Sequence, residues 1–170
     1  IPHSMAAGGL MVSSNSNIDN INDLKGKKIG IAGGSIDKSW LIFRAYYKDL
    51  FGKDLRNESE QIFGAPPLLN KKIEQGSFDA ILTYWPYQAR LKTKDFNTVI
   101  NVSDVIKELG IDGNIPVIGW VFRDDWAKQN EELLSNFVKA SNEAKNLMLI
   151  SDEIWEKVKP SMNIDNEQVF

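Results

Sequence analysis

Segment 32–38 ends an apolar run with residues that could bind a small ligand. Gly33 and Gly34 would let a ligand approach the backbone, and Ser35 offers a hydroxyl group. If a helix follows, its free N–H groups favour an anion at the same point. The segment therefore predicts a ligand-binding loop, although a tight strand-to-helix turn with Ser35 as the helix cap would use the same residues.

The polar residues of this segment do not complete a phosphate-binding P-loop. Lys38 and Ser39 resemble the end of GxxxxGK[ST], but Ala32 and Asp37 stand where that motif has glycine. The glycine pattern GxGxxG is also absent from the segment. Asp37 and Lys38 are counted among the predicted ligand contacts, and no cofactor is predicted.

Three further positions combine aromatic or rigid residues with exposed backbone. Tyr84 and Trp85 belong to a turn rich in aromatic residues, which could form one wall of a small-molecule site. Segment 64–67 is a rigid loop in which Pro66 opens a helix. Trp120 follows a glycine in a long apolar run, where the backbone is open to close approach. Each pattern is equally compatible with ordinary core packing.

The composition excludes several catalytic and metal-binding chemistries. The sequence has no cysteine, which rules out disulfides, cysteine-ligated zinc, iron–sulfur clusters and thiol catalysis. His3 is the single histidine, so a metal site or a catalytic triad based on histidine would rest on that residue alone. Asp37 and Asp79 have no partner at a catalytic spacing. We therefore expect neither an enzyme nor a metal site.

Charge and hydropathy give no sign of a nucleic-acid or membrane partner. The net charge is −3, and the lysines are spread along the chain. No apolar run approaches the roughly 20 residues of a membrane span. Hydrophobic residues make up 42% and charged residues 25%, which is typical of a globular domain.

Apolar runs of strand length alternate with helical stretches up to about residue 123. Strands are predicted at 10–12, 28–32, 61–63, 78–82, 98–102 and 115–122. Helices are predicted at 35–50 with Ser35 as the cap, and from Pro66, Trp85 and Ser103 onward. This alternation predicts an α/β fold with helices on both faces of a sheet.

From Asp124 onward the sequence predicts only helices. The longest, Glu131–Ile150, places Leu134, Phe137 and Met148 on one apolar face. A lone helix cannot keep such a face stable in water. We expect it to pack on chain that is missing here or on a second copy, and the start at Ile1 agrees with a fragment or a processed product.

Three motifs, taken in order, resemble a known family of binding proteins. NDLKGKKIGI at 22–31 is similar to the segment that opens periplasmic-binding-protein-like lobes. GGSIDKSW at 33–40 resembles the ligand loop that follows, and QGSFDA at 75–80 with Trp85-Pro86 resembles a later element. From about Gly8 to Lys159 the chain resembles the NMT1/THI5-like binding proteins for nitrate, taurine, alkanesulfonates and thiamine pyrimidines.

The resemblance implies an α/β fold of the periplasmic binding protein type II, with one complete three-layer lobe and the helical part of the other lobe. It implies a remnant of lobe one and a first hinge crossing at 1–12, the second lobe at 13–118, and a return crossing with helices of lobe one at 119–170. The predicted ligand contacts are Gly33, Gly34, Ser35, Asp37, Lys38, Pro66, Tyr84, Trp85 and Trp120.

The implied function is that of a solute-binding component of an ABC importer. Such a protein captures a small polar or anionic organic solute between two lobes and delivers it to a permease and its ATPase. The resemblance implies a periplasmic location, or a lipid anchor outside the inner membrane.

Two other functions of the same fold stay open from the sequence. Pyrimidine-synthesis enzymes of the yeast type resemble this family but use histidine and iron, whereas this sequence has His3 alone. A stand-alone small-molecule sensor is the second alternative, although the helix-turn-helix of a transcription regulator is not found in the sequence. Neighbouring permease and ATPase genes would favour transport.

Overall fold

The computed structural model describes residues 1–111, 115–162, 164 and 167–169. The chain divides into two units, Pro2–Gly119 and Ile1 with Trp120–Phe170. The strands are β1 (Pro2–Ser4), β2 (Gly8–Ser13), β3 (Lys28–Ala32), β4 (Glu60–Gly64), β5 (Ala80–Tyr84), β6 (Phe96–Asn101) and β7 (Ile118–Gly119). The helices are α1 (Lys38–Phe51), α2 (Leu55–Glu58), α3 (Pro66–Glu74), α4 (Trp85–Lys92), α5 (Val102–Glu108), α6 (Asp124–Gln129), α7 (Glu131–Ile150) and α8 (Asp152–Val158).

A five-stranded sheet forms the middle of the first unit, with strand order β4-β3-β5-β2-β6. β3 runs parallel to β4 and β5, as expected of strands that are joined through helices. β2 runs antiparallel to both of its neighbours, β5 and β6. The sheet is therefore mixed, and the earliest of its strands in the chain lies inside it.

Helices cover both faces of this sheet, α1 and α5 on one and α3 and α4 on the other. Leu82 and Ile81 are neighbours in β5 and belong to opposite cores, because side chains alternate along a strand. The predicted α/β fold with one three-layer lobe is confirmed. On α1, Trp40 and Phe43 are buried, whereas Leu50 near the end of the helix is 47% exposed.

The strand β2 lies across the predicted lobe boundary at residue 12. The resemblance implies a first hinge crossing within 1–12, and β2 lies between β5 and β6 in the sheet. Leu10 and Met11 are buried in the two cores on opposite faces of the sheet. The first unit runs from Pro2 to Gly119, and the lobe boundaries at residues 12 and 118 stay a prediction.

The long strand predicted at 115–122 is wrong. Regular strand structure in this run is limited to β7, whose antiparallel partner is the short strand β1. Backbone hydrogen bonds extend one residue beyond β7 on each side, from Val117 N–H to Ser4 and from Trp120 N–H to Ile1, and Val121 is 92% exposed. The short strand pair of this region is the β1–β7 ribbon.

The predicted helix starts are partly right. Asn20 caps the 3-10 turn Ile21–Leu24 and forms a capping box with Asp23, as its residue type favours. Pro66 is the first residue of α3, as predicted. Ser103 is not a cap, because α5 begins one residue before it with Asn101 in the cap position.

The second unit is helical, and α7 spans Glu131–Ile150 as predicted. None of the twenty residues of α7, all of which the structure describes, is buried. Four aromatic side chains of this unit cluster with ring centroids 5.1 to 6.0 Å apart: Trp120, Phe122, Trp126 and Phe137. Phe137 is still 39% exposed, so what covers the apolar face of α7 stays a prediction.

An ion pair joins α1 to the cap of α2. Arg44 Nη2 lies 2.6 Å from Asp54 Oδ2, and Arg44 Nε donates to Asp54 Oδ1 at 2.9 Å. Asp54 also accepts a hydrogen bond from Arg56 N–H at 3.0 Å. The hydrogen bond from Arg44 is the largest cause that lowers the pKa of Asp54 to about 2.

We expect this pair to make stability depend on pH in the acid range. Because the folded pKa lies below the ordinary 3.8, the stabilisation is present above that value and is lost as pH falls toward 2. The side chains are 24% and 31% exposed, and solvent screening limits the effect to about 1 kcal/mol. Urea unfolding should separate wild type from Asp54→Asn at neutral pH and less so near pH 2; an equal separation at both would contradict the assignment.

Candidate functional site

One edge of the five-stranded sheet, the strand-end edge, collects the loops that follow β3, β4, β5 and β6. Ala32 at the end of β3 lies opposite Gly64 at the end of β4. The antiparallel strand β2 begins at the same edge, with Gly8 opposite Tyr84 at the end of β5. In open α/β sheets this is the edge at which ligands bind.

Two hydrogen bonds bring the three predicted segments together at the strand-end edge. Gly33 N–H donates to the carbonyl of Gly64 at 2.9 Å. The Tyr84 hydroxyl donates to Asp37 Oδ2 at 2.8 Å, across 47 residues of sequence. The loop of residues 33–37, called the 33–37 loop below, is therefore fixed against its neighbours on both sides.

Asp37 caps α1, and the prediction that Ser35 does so is wrong. Asp37 Oδ1 accepts hydrogen bonds from Ser39 N–H at 2.9 Å and from Trp40 N–H at 3.4 Å. The N–H of Asp37 bonds to the carbonyl of Gly34 at 2.9 Å and closes a tight turn. Ser35 lies exposed inside this turn, where its hydroxyl group does not serve the helix.

The close approach of Tyr84 to Asp37 requires glycine at position 33. Gly33 has a φ of +92°, in the left-handed region. A Cβ atom here would lie 2.8 Å from the hydroxyl oxygen of Tyr84 and 3.2 Å from Asp37 Oδ2. Gly34 has open space at the same position, so its backbone is the accessible part of the loop.

Tyr84 stays protonated and acts as a donor at neutral pH. Burial is the largest cause, followed by the hydrogen bond to Asp37, and together they raise the pKa of Tyr84 to about 12. The carboxylate of Asp37 is therefore held by the helix on one oxygen and by a phenol on the other.

Removal of this phenol should loosen the 33–37 loop without unfolding the lobe. Tyr84→Phe deletes one hydrogen bond to a charged group, about 1.5 kcal/mol, so amide exchange in the loop should be about tenfold faster. Hydrogen–deuterium exchange read by mass spectrometry measures this, with Tyr87→Phe as the matched control. Equal protection of the loop in wild type and Tyr84→Phe would show that the hydroxyl does not hold it.

Large apolar side chains are exposed around the 33–37 loop. Trp85, the first residue of α4, is 48% exposed, and Ile36 in the loop is 85% exposed. Leu68 in the first turn of α3 is 52% exposed. Exposed apolar groups beside polar ones mark ligand or partner surfaces. Trp85 is thus outside the core, and its role as a ligand contact stays a prediction.

The other predicted contacts lie in different surroundings. Lys38 is exposed, and its Nζ is 6.0 Å from the centroid of the Tyr84 ring. Pro66 is half-buried where α3 begins. Trp120 belongs to the second unit and packs edge-on to Phe137, and its role as a ligand contact stays a prediction.

A polar network at the same edge is missed by the sequence analysis. Gln88 Nε2 donates to Thr98 Oγ1 at 3.0 Å and to Asn101 Oδ1 at 2.9 Å, and Asn101 Nδ2 donates to Asp104 Oδ2 at 3.0 Å. Gly9 leaves room for it, since a Cβ there would lie 3.1 Å from Gln88 Nε2. The available signal is the glycine pair before the apolar run of β2, which indicates close packing.

Backbone donors and one carboxylate dominate the chemistry of this edge. α3, α4 and α5 begin here, and none has a side-chain hydrogen bond at its cap. Their first N–H groups and positive dipole ends favour acceptor atoms on a ligand. In the part of the chain that the structure describes, no cluster of His, Asp or Glu could hold a metal, and no helix is long and apolar enough to cross a bilayer.

Solved structures with the same fold include binding proteins for sulfonates. The chain is similar to the alkanesulfonate-binding protein of Xanthomonas axonopodis pv. citri bound to MOPS, with a TM-score of 0.64 and 17% identity over 86% of this chain and 47% of that one. The periplasmic aliphatic sulphonate-binding protein of Escherichia coli gives a TM-score of 0.63 and 19% identity over 86% of this chain and 46% of that one.

A protein from Archaeoglobus fulgidus gives a TM-score of 0.57 and 18% identity over 99% of this chain and 59% of that one. The chain thus spans about half the length of the sulfonate-binding proteins that it matches. No curated protein matches it significantly. The family model described as NMT1/THI5 like matches residues 4–151, and the chain therefore belongs to the NMT1/THI5-like family.

Proposed function

We propose that this chain is the ligand-binding part of a solute-binding protein that captures a small polar or anionic organic solute at the strand-end edge. The observation that carries the proposal is the exposure of Trp85 beside the 33–37 loop. A large indole at the first position of a helix, next to accessible backbone at Gly34, can cover the apolar part of a solute while polar groups bind around it.

Each element of the edge has a place in this binding mode. The indole of Trp85 and the side chain of Ile36 are exposed and supply apolar contact. The uncapped starts of α3 and α4 supply N–H donors, and Ser35 adds a hydroxyl group. Asp37 and Lys38 supply the charged groups. This is the combination of apolar walls and few polar groups that small-molecule sites use.

The proposal also includes a role in ABC import, which the family suggests. The solute is held between two lobes and delivered to an ABC permease and its ATPase, from the periplasm or from a lipid anchor outside the inner membrane. Membership of the NMT1/THI5-like family and the fold shared with sulfonate-binding proteins support transport over catalysis. The single histidine and the lack of cysteine support the same choice.

A thermal-shift screen followed by a tryptophan substitution tests the proposal. The screen uses sulfonates, pyrimidines, nitrate and small acids and alcohols, and the compound that raises the melting temperature most is carried forward. Trp85→Ala should make the binding free energy of that compound less favourable by about 2–4 kcal/mol, because a central aromatic contact is lost. Isothermal titration calorimetry measures the difference.

The matched control is Trp126→Ala, which removes a tryptophan of similar exposure, 39%, from the second unit. Its affinity for the compound should equal that of wild type within about twofold, since it does not belong to the strand-end edge. If Trp85→Ala binds the compound with unchanged affinity and keeps its full secondary structure by circular dichroism, Trp85 is not a ligand contact. The proposal would then be wrong.

A further inference from the structure

The charge at the 33–37 loop bears on which solute group can bind there. α1 is a helix of fourteen residues, and its first free N–H groups and positive dipole end are a favourable place for an anion. Asp37 Oδ1 already accepts the N–H groups of Ser39 and Trp40 at 2.9 and 3.4 Å. A carboxylate of the protein therefore occupies the position that a sulfonate or carboxylate of a ligand would need.

Asp37 keeps capacity for one more donor. A carboxylate offers about four lone-pair positions, and the bonds from Ser39, Trp40 and Tyr84 use three of them. Asp37 is half-buried, and no further hydrogen bond from the described residues uses its fourth lone-pair position. Among the residues that the structure describes, no basic group lies within ion-pair distance of Asp37.

The neighbours of Asp37 also suit a positively charged group. Ile36 is exposed in the same loop, and the exposed Trp85 directly follows Tyr84, whose hydroxyl binds Asp37. An indole face attracts a cation more strongly than other aromatic rings. Lys38 is the nearby basic residue, and its exposed ammonium lies over the Tyr84 ring rather than on the carboxylate.

We propose that the solute group at the 33–37 loop is an organic ammonium, which donates a hydrogen bond to Asp37, and not a sulfonate or a carboxylate. This inference rests on the proposed function and narrows its solute class. Acceptor atoms elsewhere in the same solute can still bind the uncapped starts of α3 and α4, so the inference concerns one end of the molecule.

The test compares two probes that share one apolar group, benzylammonium and phenylmethanesulfonate. The shift of the Trp85 indole N–H signal in a nitrogen–proton correlation spectrum reports binding at the site, and Trp85→Phe assigns that signal. Benzylammonium should bind at least about tenfold more tightly than phenylmethanesulfonate, as expected for a hydrogen bond between charged groups.

Three variants distinguish the effect of the Asp37 charge on ligand binding from the role of Asp37 as the cap of α1. Asp37→Asn keeps a good helix cap, so it should fold normally and lose about 10- to 100-fold in affinity for benzylammonium. Asp79→Asn makes the same change at the start of a strand, where the Asp79 carboxylate accepts a hydrogen bond from Lys28 N–H at 2.8 Å. This variant should bind benzylammonium with the affinity of wild type. Lys38→Gln removes a positive charge beside the site, so it should strengthen the binding of benzylammonium.

The possible results distinguish failure of the ammonium inference from failure of the proposed solute-binding function. Preferred binding of phenylmethanesulfonate at Trp85, especially if Lys38→Gln abolishes it, would overturn the ammonium assignment and leave solute binding intact. Equal affinity of Asp37→Asn and wild type for benzylammonium would overturn it as well. Absence of any Trp85 shift with both probes would count against the strand-end edge as a solute site and against the inference together.

Discussion

Gly8→Ala should destabilise the first unit by roughly 3–5 kcal/mol, because the change combines backbone strain with a backbone clash. Gly8 has a φ of +120°, and a Cβ there would lie 2.0 Å from the carbonyl oxygen of Thr83 and 2.8 Å from Trp85 N. Neither atom belongs to a side chain, so relief requires separating β2 from β5. Urea unfolding followed by far-ultraviolet circular dichroism measures the loss.

Two other glycines provide graded controls for this substitution. Gly26 has a φ of +73° with nothing within 4 Å of its Cβ position, so Gly26→Ala should cost about 1 kcal/mol from strain alone. Gly34 has open space and no positive φ, and Gly34→Ala should change stability by less than about 0.5 kcal/mol. If Gly8→Ala is no worse than Gly26→Ala, β2 is not packed against β5 as described.

The strand-end loops could be predicted because their signals are local. Gly33, Pro66 and Trp85 each follow an apolar run, and parallel strands place such positions at one edge. The structure brings these loops together, with Gly33 N–H bonded to the carbonyl of Gly64. Asn20 was equally accessible to prediction, because its capping box is complete within four residues of sequence.

The choice between Ser35 and Asp37 as the cap of α1 could not be made locally. Both residue types favour the position, and the stripe of Trp40 and Phe43 fits either start. What distinguishes them is the hydroxyl of Tyr84, which binds Asp37 from 47 residues away. The position of β2 in the sheet also depends on residues far away in the sequence, because an apolar run alone does not indicate which strands will flank it.

Trp40→Ala should cost about 3–5 kcal/mol, the second of the two largest effects expected in this chain. Trp40 is 1% exposed in the core under α1, and its ring meets Phe63 edge-on with centroids 6.4 Å apart. Truncation removes the largest buried side chain of this core and leaves a cavity that the rigid sheet cannot fill. The midpoint of urea unfolding should fall accordingly.

Trp85→Ala is the matched control for Trp40→Ala, because it makes the same truncation at an exposed position. It should change stability by less than about 1 kcal/mol, since 48% of the side chain is already in water. The two variants thus separate folding from binding: the first loses stability, and the second loses ligand. Similar stability of both would mean that Trp40 is not the centre of the core.

The inner position of β2 has a consequence for the synthesis of the chain. β2 ends at Ser13, but its flanking strands, β5 and β6, end only at Tyr84 and Asn101. At about 5–20 residues per second, a ribosome needs roughly 4–20 s to supply both partners. Throughout that interval the apolar stretch Gly8–Ser13 lacks at least one of its two partner strands, which makes it a natural binding segment for chaperones on the nascent chain.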